Sequence, residues 1–122
     1  MSKILSIIGA VLLLAMAAYH GSGIVPITAD LVQSNAPDYL KRIFPVLFLN
    51  TSLYLATLAV FAVFAVVSSA ARGINTIIAI SAFANAGFGA FLGEWMAAGV
   101  LATIGLLFVI AALTAPKPKP VG

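Results

Sequence analysis

The chain has no cysteine and a single histidine. Without thiols it builds no disulfide framework, no thiolate metal site and no CxxC redox pair. Charge is nearly as scarce: 7% of the residues are Asp, Glu, Lys or Arg, where a soluble domain carries about 25%. Too few polar groups remain to cover a water-facing surface, so the surrounding solvent is lipid. The net charge of +3 is spread over Lys3, Lys41, Arg42, Arg72, Lys117 and Lys119, too thinly for a nucleic-acid surface. Also absent are HxxxH and ExxH metal arrangements, GxSxG, a phosphate loop and any acid in the middle of an apolar run. That argues against a hydrolase and against a self-sufficient ion-coupled carrier, which needs an ionisable group at depth. No catalytic residue and no metal site are assigned.

What the chain has is apolar length. Its 122 residues, 63% of them apolar, suit a single all-α domain: a polytopic membrane protein built as a four-helix transmembrane bundle. The apolar runs predict helices at about 4–20, 43–68, 74–93 and 96–114. Between the first two lies an outer loop, 21–42, with GSG, Pro26, Asp30, Pro37 and Asp38. Thr28 or Asp30 would cap a short helix there, running to about Ser34 until Pro37 breaks it. Ile24, Val25, Ile27, Leu31 and Val32 are too apolar for a free loop and should fold over the bundle mouth or lie in the interface. The first run, behind Lys3, also has the form of a signal peptide; it is read here as a first span. Pro45 falls in the first turn of the second helix, where its missing N–H costs little. Residues 115–122, PKPKPVG after Ala115, form an extended solvated tail.

An even number of spans returns both termini to one side. Lys3, Arg72, Lys117 and Lys119 share that side, and all the acids lie opposite with Lys41 and Arg42. The positive-inside rule then puts both termini in the cytoplasm, in keeping with a bacterial inner-membrane protein. The third run, INTIIAISAFANAGFGAFLGEW, reads as the hub. Ser81, Asn85, Gly89 and Gly93 recur at i, i+4 and would form one packing seam that lets neighbouring backbones approach.

Depth counting, at about 1.5 Å per residue from the outer ends, puts Asn50, Asn85 and Thr103 roughly 10–14 Å down on three helices. Tyr54 and Thr57 share the Asn50 face, His20 with Tyr19 lies above, and Glu94 stands at the rim. Together they outline either an outward-facing polar cavity for a lipid, quinone, ion or other small molecule, or mutual hydrogen bonds acting as interhelical glue. His20 is a proton acceptor, an axial ligand to haem or pigment, or an interfacial hydrogen-bonder. A His20 to Glu94 contact would form a pH-sensitive latch. Trp95 reads as an aromatic-belt anchor, and the phenylalanines as packing and lipid contact. No cofactor is assigned.

The first helix ending in His20-Gly21, the outer loop, the long second helix, the Gly-rich third helix and the Glu94-Trp95 step resemble the small four-helix bacterial membrane proteins that include DoxX-like families. The resemblance implies a quinone-linked redox partner as one function, but the second helix lacks the charges such a site would need, and no catalytic role is carried over. Three functions remain open: a non-enzymatic accessory or assembly subunit of a larger inner-membrane complex, a lipid- or small-molecule-binding membrane protein, and a DoxX-like redox partner. The expected partners are membrane lipids and other membrane subunits, with a homo-oligomer as a further option and no nucleic acid.

Overall fold

The computed structural model describes residues 1–116; residues 117–122, with Lys117, Lys119 and most of the expected tail, lie outside the described residues. Five helices follow one another: α1 (Ser2–Ser22), α2 (Ile24–Gln33), α3 (Asp38–Val67), α4 (Ala71–Phe91) and α5 (Trp95–Thr114). There is no strand among the described residues. α1 and α2 run on as one segment, and with α3, α4 and α5 they make four helices long and apolar enough to cross a membrane. The chain is thus an all-α four-helix bundle, of the composition and length of an integral membrane protein.

Two boundaries differ from the sequence expectation. The short helix begins at Ile24, directly after α1, because Gly23 keeps helical dihedrals, with φ −69° and ψ −14°. Its N–H bonds the His20 carbonyl, a tightened turn that bends the chain without ending it. α3 begins at Asp38, so Pro45 sits inside the helix instead of in its first turn. Pro37 provides the extended residue before the start, and the Asp38 carboxylate suits the positive end of the helix dipole. Polar residues marked the edge of the apolar slab, and the helix continues beyond that edge.

α1 packs on α3, α3 on α4, α4 on α5 and α5 back on α1, closing a ring. The core is built from Leu13, Leu55, Ile78, Ile104 and Phe108 set among alanines of all four spans. Small side chains suit a lipid-embedded core, where close backbone approach and dispersion do the work that water exclusion does elsewhere. The tightest approach is at Gly9, where a methyl group would lie 2.5 Å from the Phe108 ring.

Met1, Ser2, Lys3, Ser68, Ala71, Thr114 and Pro116 line one cleft, so the helix ends there are level and both ends of the described chain share one end of the bundle. From that level α4, with 21 residues, and α5, with 20, rise about 30 Å, the thickness of a hydrocarbon core. α3 has 30 residues in one helix, which gives about 45 Å, and α2 packs back along its first part. α2 and the start of α3, residues 24–47, therefore stand about 15 Å above the α4–α5 turn. Lys41 Nζ ties this projecting hairpin together by donating to the Val32 carbonyl at 3.1 Å.

Candidate functional site

Within the bundle, polar side chains reach across helices near both of its ends, and at the termini end Arg72 Nε on α4 donates to the Ala112 carbonyl on α5 at 3.3 Å. At the same end, Ser6 on α1 donates its hydroxyl to Asn75 Oδ1 on α4 at 3.1 Å. The bond crosses the ring diagonally, and Asn75 is 0% exposed. Its Nδ2 has no partner, which makes Asn75 the costliest polar group in the core. Depth counted from the outer ends alone does not bring out this pair. Counted from the other end, Ser6 lies four residues after Ser2 and Asn75 four after Ala71, the first residues of α1 and α4, and the match in level becomes visible.

The second meeting point lies at the foot of the projecting hairpin. His20 stacks on Phe48, with ring centroids 4.1 Å apart and planes 15° from parallel, and its Nε2 lies 3.2 Å from the Phe48 carbonyl. A carbonyl only accepts, so Nε2 carries the hydrogen. Gly21, one residue on, lets α1 close over Ser52: a methyl group there would lie 3.4 Å from the Ser52 hydroxyl. That hydroxyl would ordinarily back-bond to the carbonyl four residues earlier, which is Phe48. Here His20 addresses that carbonyl, and Ser52 Oγ is buried without a partner. The expected His20 to Glu94 latch is replaced by this joint, because stacking and hydrogen bond both hold the imidazole on α3 while Glu94 stays exposed.

The residues expected to line the outward cavity are not brought together. Asn50, Tyr54, Thr103 and Glu94 are all exposed on the outside of the bundle. Thr103 donates to its own Gly99 carbonyl at 2.9 Å, and Thr57 to Leu53 at 2.8 Å. Asn85, half-buried, donates Nδ2 to the Ser81 carbonyl one turn back at 2.8 Å. Such i−4 bonds satisfy a polar group within its own helix, so no partner helix is needed. Counted from the level helix ends at the termini side, Asn50 stands about 26 Å up, Asn85 about 21 Å and Thr103 about 17 Å, so the groups share neither a face nor a level.

The seam Ser81, Asn85, Gly89, Gly93 is also shorter than expected. α4 ends at Phe91, and Gly93 adopts φ 83° beyond it. Its N–H bonds the Ala90 carbonyl at 3.1 Å, and the Glu94 N–H bonds Gly89 at 2.8 Å. This paired closure is a Schellman motif, with glycine at the left-handed position that other residues strain to adopt. Gly89 does face α5, where a methyl group would meet Ala98 at 3.5 Å. Ser81 and Asn85 flank the packed face, which consists of Asn75, Ile78, Ala79, Ala82 and Ala86.

No family model, curated protein or solved structure matches the chain. Among the described residues no three of the His, Asp and Glu side chains gather. Beside exposed Asp30, Gln33, Asn35, Asp38, Arg42 and Glu94, large apolar side chains stand open: Val25, Val32, Tyr39, Leu40 and Val46 on the projecting hairpin, and Phe91, Leu92, Trp95 and Met96 on the α4–α5 turn.

Proposed function

We propose that the chain is a non-enzymatic accessory or assembly subunit of a larger complex in a bacterial inner membrane, with both termini cytoplasmic. The observation that carries this reading is the step between the hairpin of residues 24–47 and the lower α4–α5 turn. By length the hairpin rises clear of the hydrocarbon, yet α2 has no buried residue, and Val25 and Val32 stand open on its outer face. An apolar surface of that kind outside the lipid calls for a protein partner. The turn beneath offers Phe91, Leu92, Trp95 and Met96, aromatic and flexible side chains of the type enriched in interface cores. The orientation is supported by Lys3 and Arg72, with Lys117 and Lys119 further along the sequence, on the termini side against Lys41 and Arg42 on the other.

Extraction in mild detergent, followed by native electrophoresis and mass spectrometry, tests the reading. Foreign membrane subunits co-migrating in fixed proportion are expected. A chain that migrates alone, or only with copies of itself, overturns it. A second reading, a small-molecule site at the His20 joint, is favoured by the buried, unpartnered Ser52 hydroxyl. A quinone or pigment co-purifying with the wild type and lost on His20→Phe would support it, and its absence from both would remove it.

A further inference from the structure

The face of α3 directly opposite the core carries a heptad. Taking Ile43 as position a, the a residues are Ile43, Asn50, Thr57 and Phe64, and the d residues are Tyr39, Val46, Leu53, Val60 and Val67. Leu55 and Ala62, which belong to the core, occupy position f on the far side. Every a and d residue except half-buried Ile43 is exposed, Val46 at 65% and Leu53 at 67%. Within the bilayer an apolar stripe is unremarkable. This one continues through Val46, Ile43 and Tyr39 into the part of α3 above the α4–α5 turn, where lipid tails no longer cover it.

Two details identify the occupant. An open groove on this face is lined by Tyr39, Arg42, Ile43 and Val46, which are the successive d, g, a and d residues that form the hole for an a-position knob in a parallel coiled coil. Asn50, one heptad below, is exposed and makes no side-chain hydrogen bond to the described chain. An amide has both donor and acceptor, so it is complementary to itself. A two-fold axis along the membrane normal brings the same residue of two copies to the same depth. Thr57, the other polar a residue, is bonded to its own helix at the Leu53 carbonyl, so Asn50 is the one a-position side chain left to fix register and partner number.

We propose that α3 is the homodimerisation helix: two copies of the chain pair α3 to α3 in parallel, with Asn50 bonded to Asn50 across the two-fold axis. The seam uses the face of α3 opposite the core. It does not rest on the accessory reading: a dimer without foreign subunits supports the seam and overturns that reading.

The absence of native cysteine makes the test clean. Val46→Cys, Leu53→Cys and Val60→Cys, all at exposed d positions, are compared in native membranes under mild oxidation with Ile80→Cys on α4 and Leu106→Cys on α5, also exposed. Facing d residues in a parallel pair approach closely enough for a disulfide. Disulfide-linked dimers at the three d positions and none at the controls are expected. Equal cross-linking at the controls, no cross-linking at the d positions, or adducts there with a different protein each overturn the proposal. Asn50→Leu should weaken dimerisation about threefold to twentyfold, from the measured range of membrane hydrogen bonds, and Asn50→Gln should largely preserve it. Unchanged dimerisation in Asn50→Leu removes the amide pair from the account.

Discussion

Adding one methyl group at each of several helical glycines should separate the packed faces from the open ones. At Gly9 the new carbon would lie 2.5 Å from Cζ, 2.6 Å from Cε2 and 3.2 Å from Cε1 of Phe108, a ring that is 0% exposed. With nowhere to swing, the ring or α1 itself must move, at about 1–3 kcal/mol for overpacking. Glycine to alanine within a helix recovers about 0.5–1 kcal/mol, so Gly9→Ala should lose roughly 0.5–2 kcal/mol net. At Gly105 the nearest atoms of Phe83 are 3.0 Å away, but that ring is 40% exposed and can turn outward. The two contributions then nearly cancel. At Gly87 and Gly99 nothing lies within 4 Å, and the propensity gain of about 0.5–1 kcal/mol should stand alone. Thermal midpoints in mild detergent, read by loss of the monodisperse size-exclusion peak, should rank Gly9→Ala lowest, Gly105→Ala near the wild type, and Gly87→Ala and Gly99→Ala highest. If Gly9→Ala matched Gly99→Ala, Phe108 would not rest on α1 and the packing of α1 on α5 would be wrong.

The same assay checks two further expectations. Gly93→Ala forces a Cβ into the left-handed region at φ 83° and should cost about 1–2 kcal/mol, although its surroundings are open; an unchanged midpoint would deny the Schellman closure. A double-mutant cycle of Ser6→Ala and Asn75→Ala should give a coupling near 0.6 kcal/mol, the average for hydrogen bonds between membrane helices. Asn75→Ala opens a cavity in a fully buried position but also removes the unpartnered Nδ2, so the coupling and not the size of either single change is the readout. Strict additivity of the two changes would mean that the side chains do not meet.

The sequence made the spans legible because lipid demands long apolar runs, and the Glu94-Trp95 step marked a real turn. Relative depth was legible only where the helix ends were: Asn50, counted down from Ile43, stands higher than Asn85 and Thr103 because α3 begins at Asp38. The sequence did not reveal which way each face points. Asn50, Tyr54 and Thr57 do share a face of α3, but these helices are apolar nearly all round, and no polar side distinguishes the lipid from the core. The expected cavity was drawn from depth without direction. Threonine and asparagine can also bond their own helix one turn back, as Thr103 and Asn85 do, so their presence on three helices did not require a meeting. Spacing alone makes Gly93 a fourth step in a seam, whereas its place just before the acid-aromatic step is that of a helix-ending glycine. Asp38, Lys41 and Arg42 hid the start of α3 because polar residues end an apolar run without ending a helix.

The central claim is that the hairpin of residues 24–47 stands clear of the bilayer on four spans that do not. Single cysteines at Val25, Leu40, Val63 and Ile80, all at exposed positions, test it most directly when a water-soluble maleimide is applied to both faces of proteoliposomes containing the purified chain. The account predicts rapid labelling at Val25→Cys and Leu40→Cys and protection at Val63→Cys and Ile80→Cys. Protection at the first two, or equal labelling at all four, would contradict it.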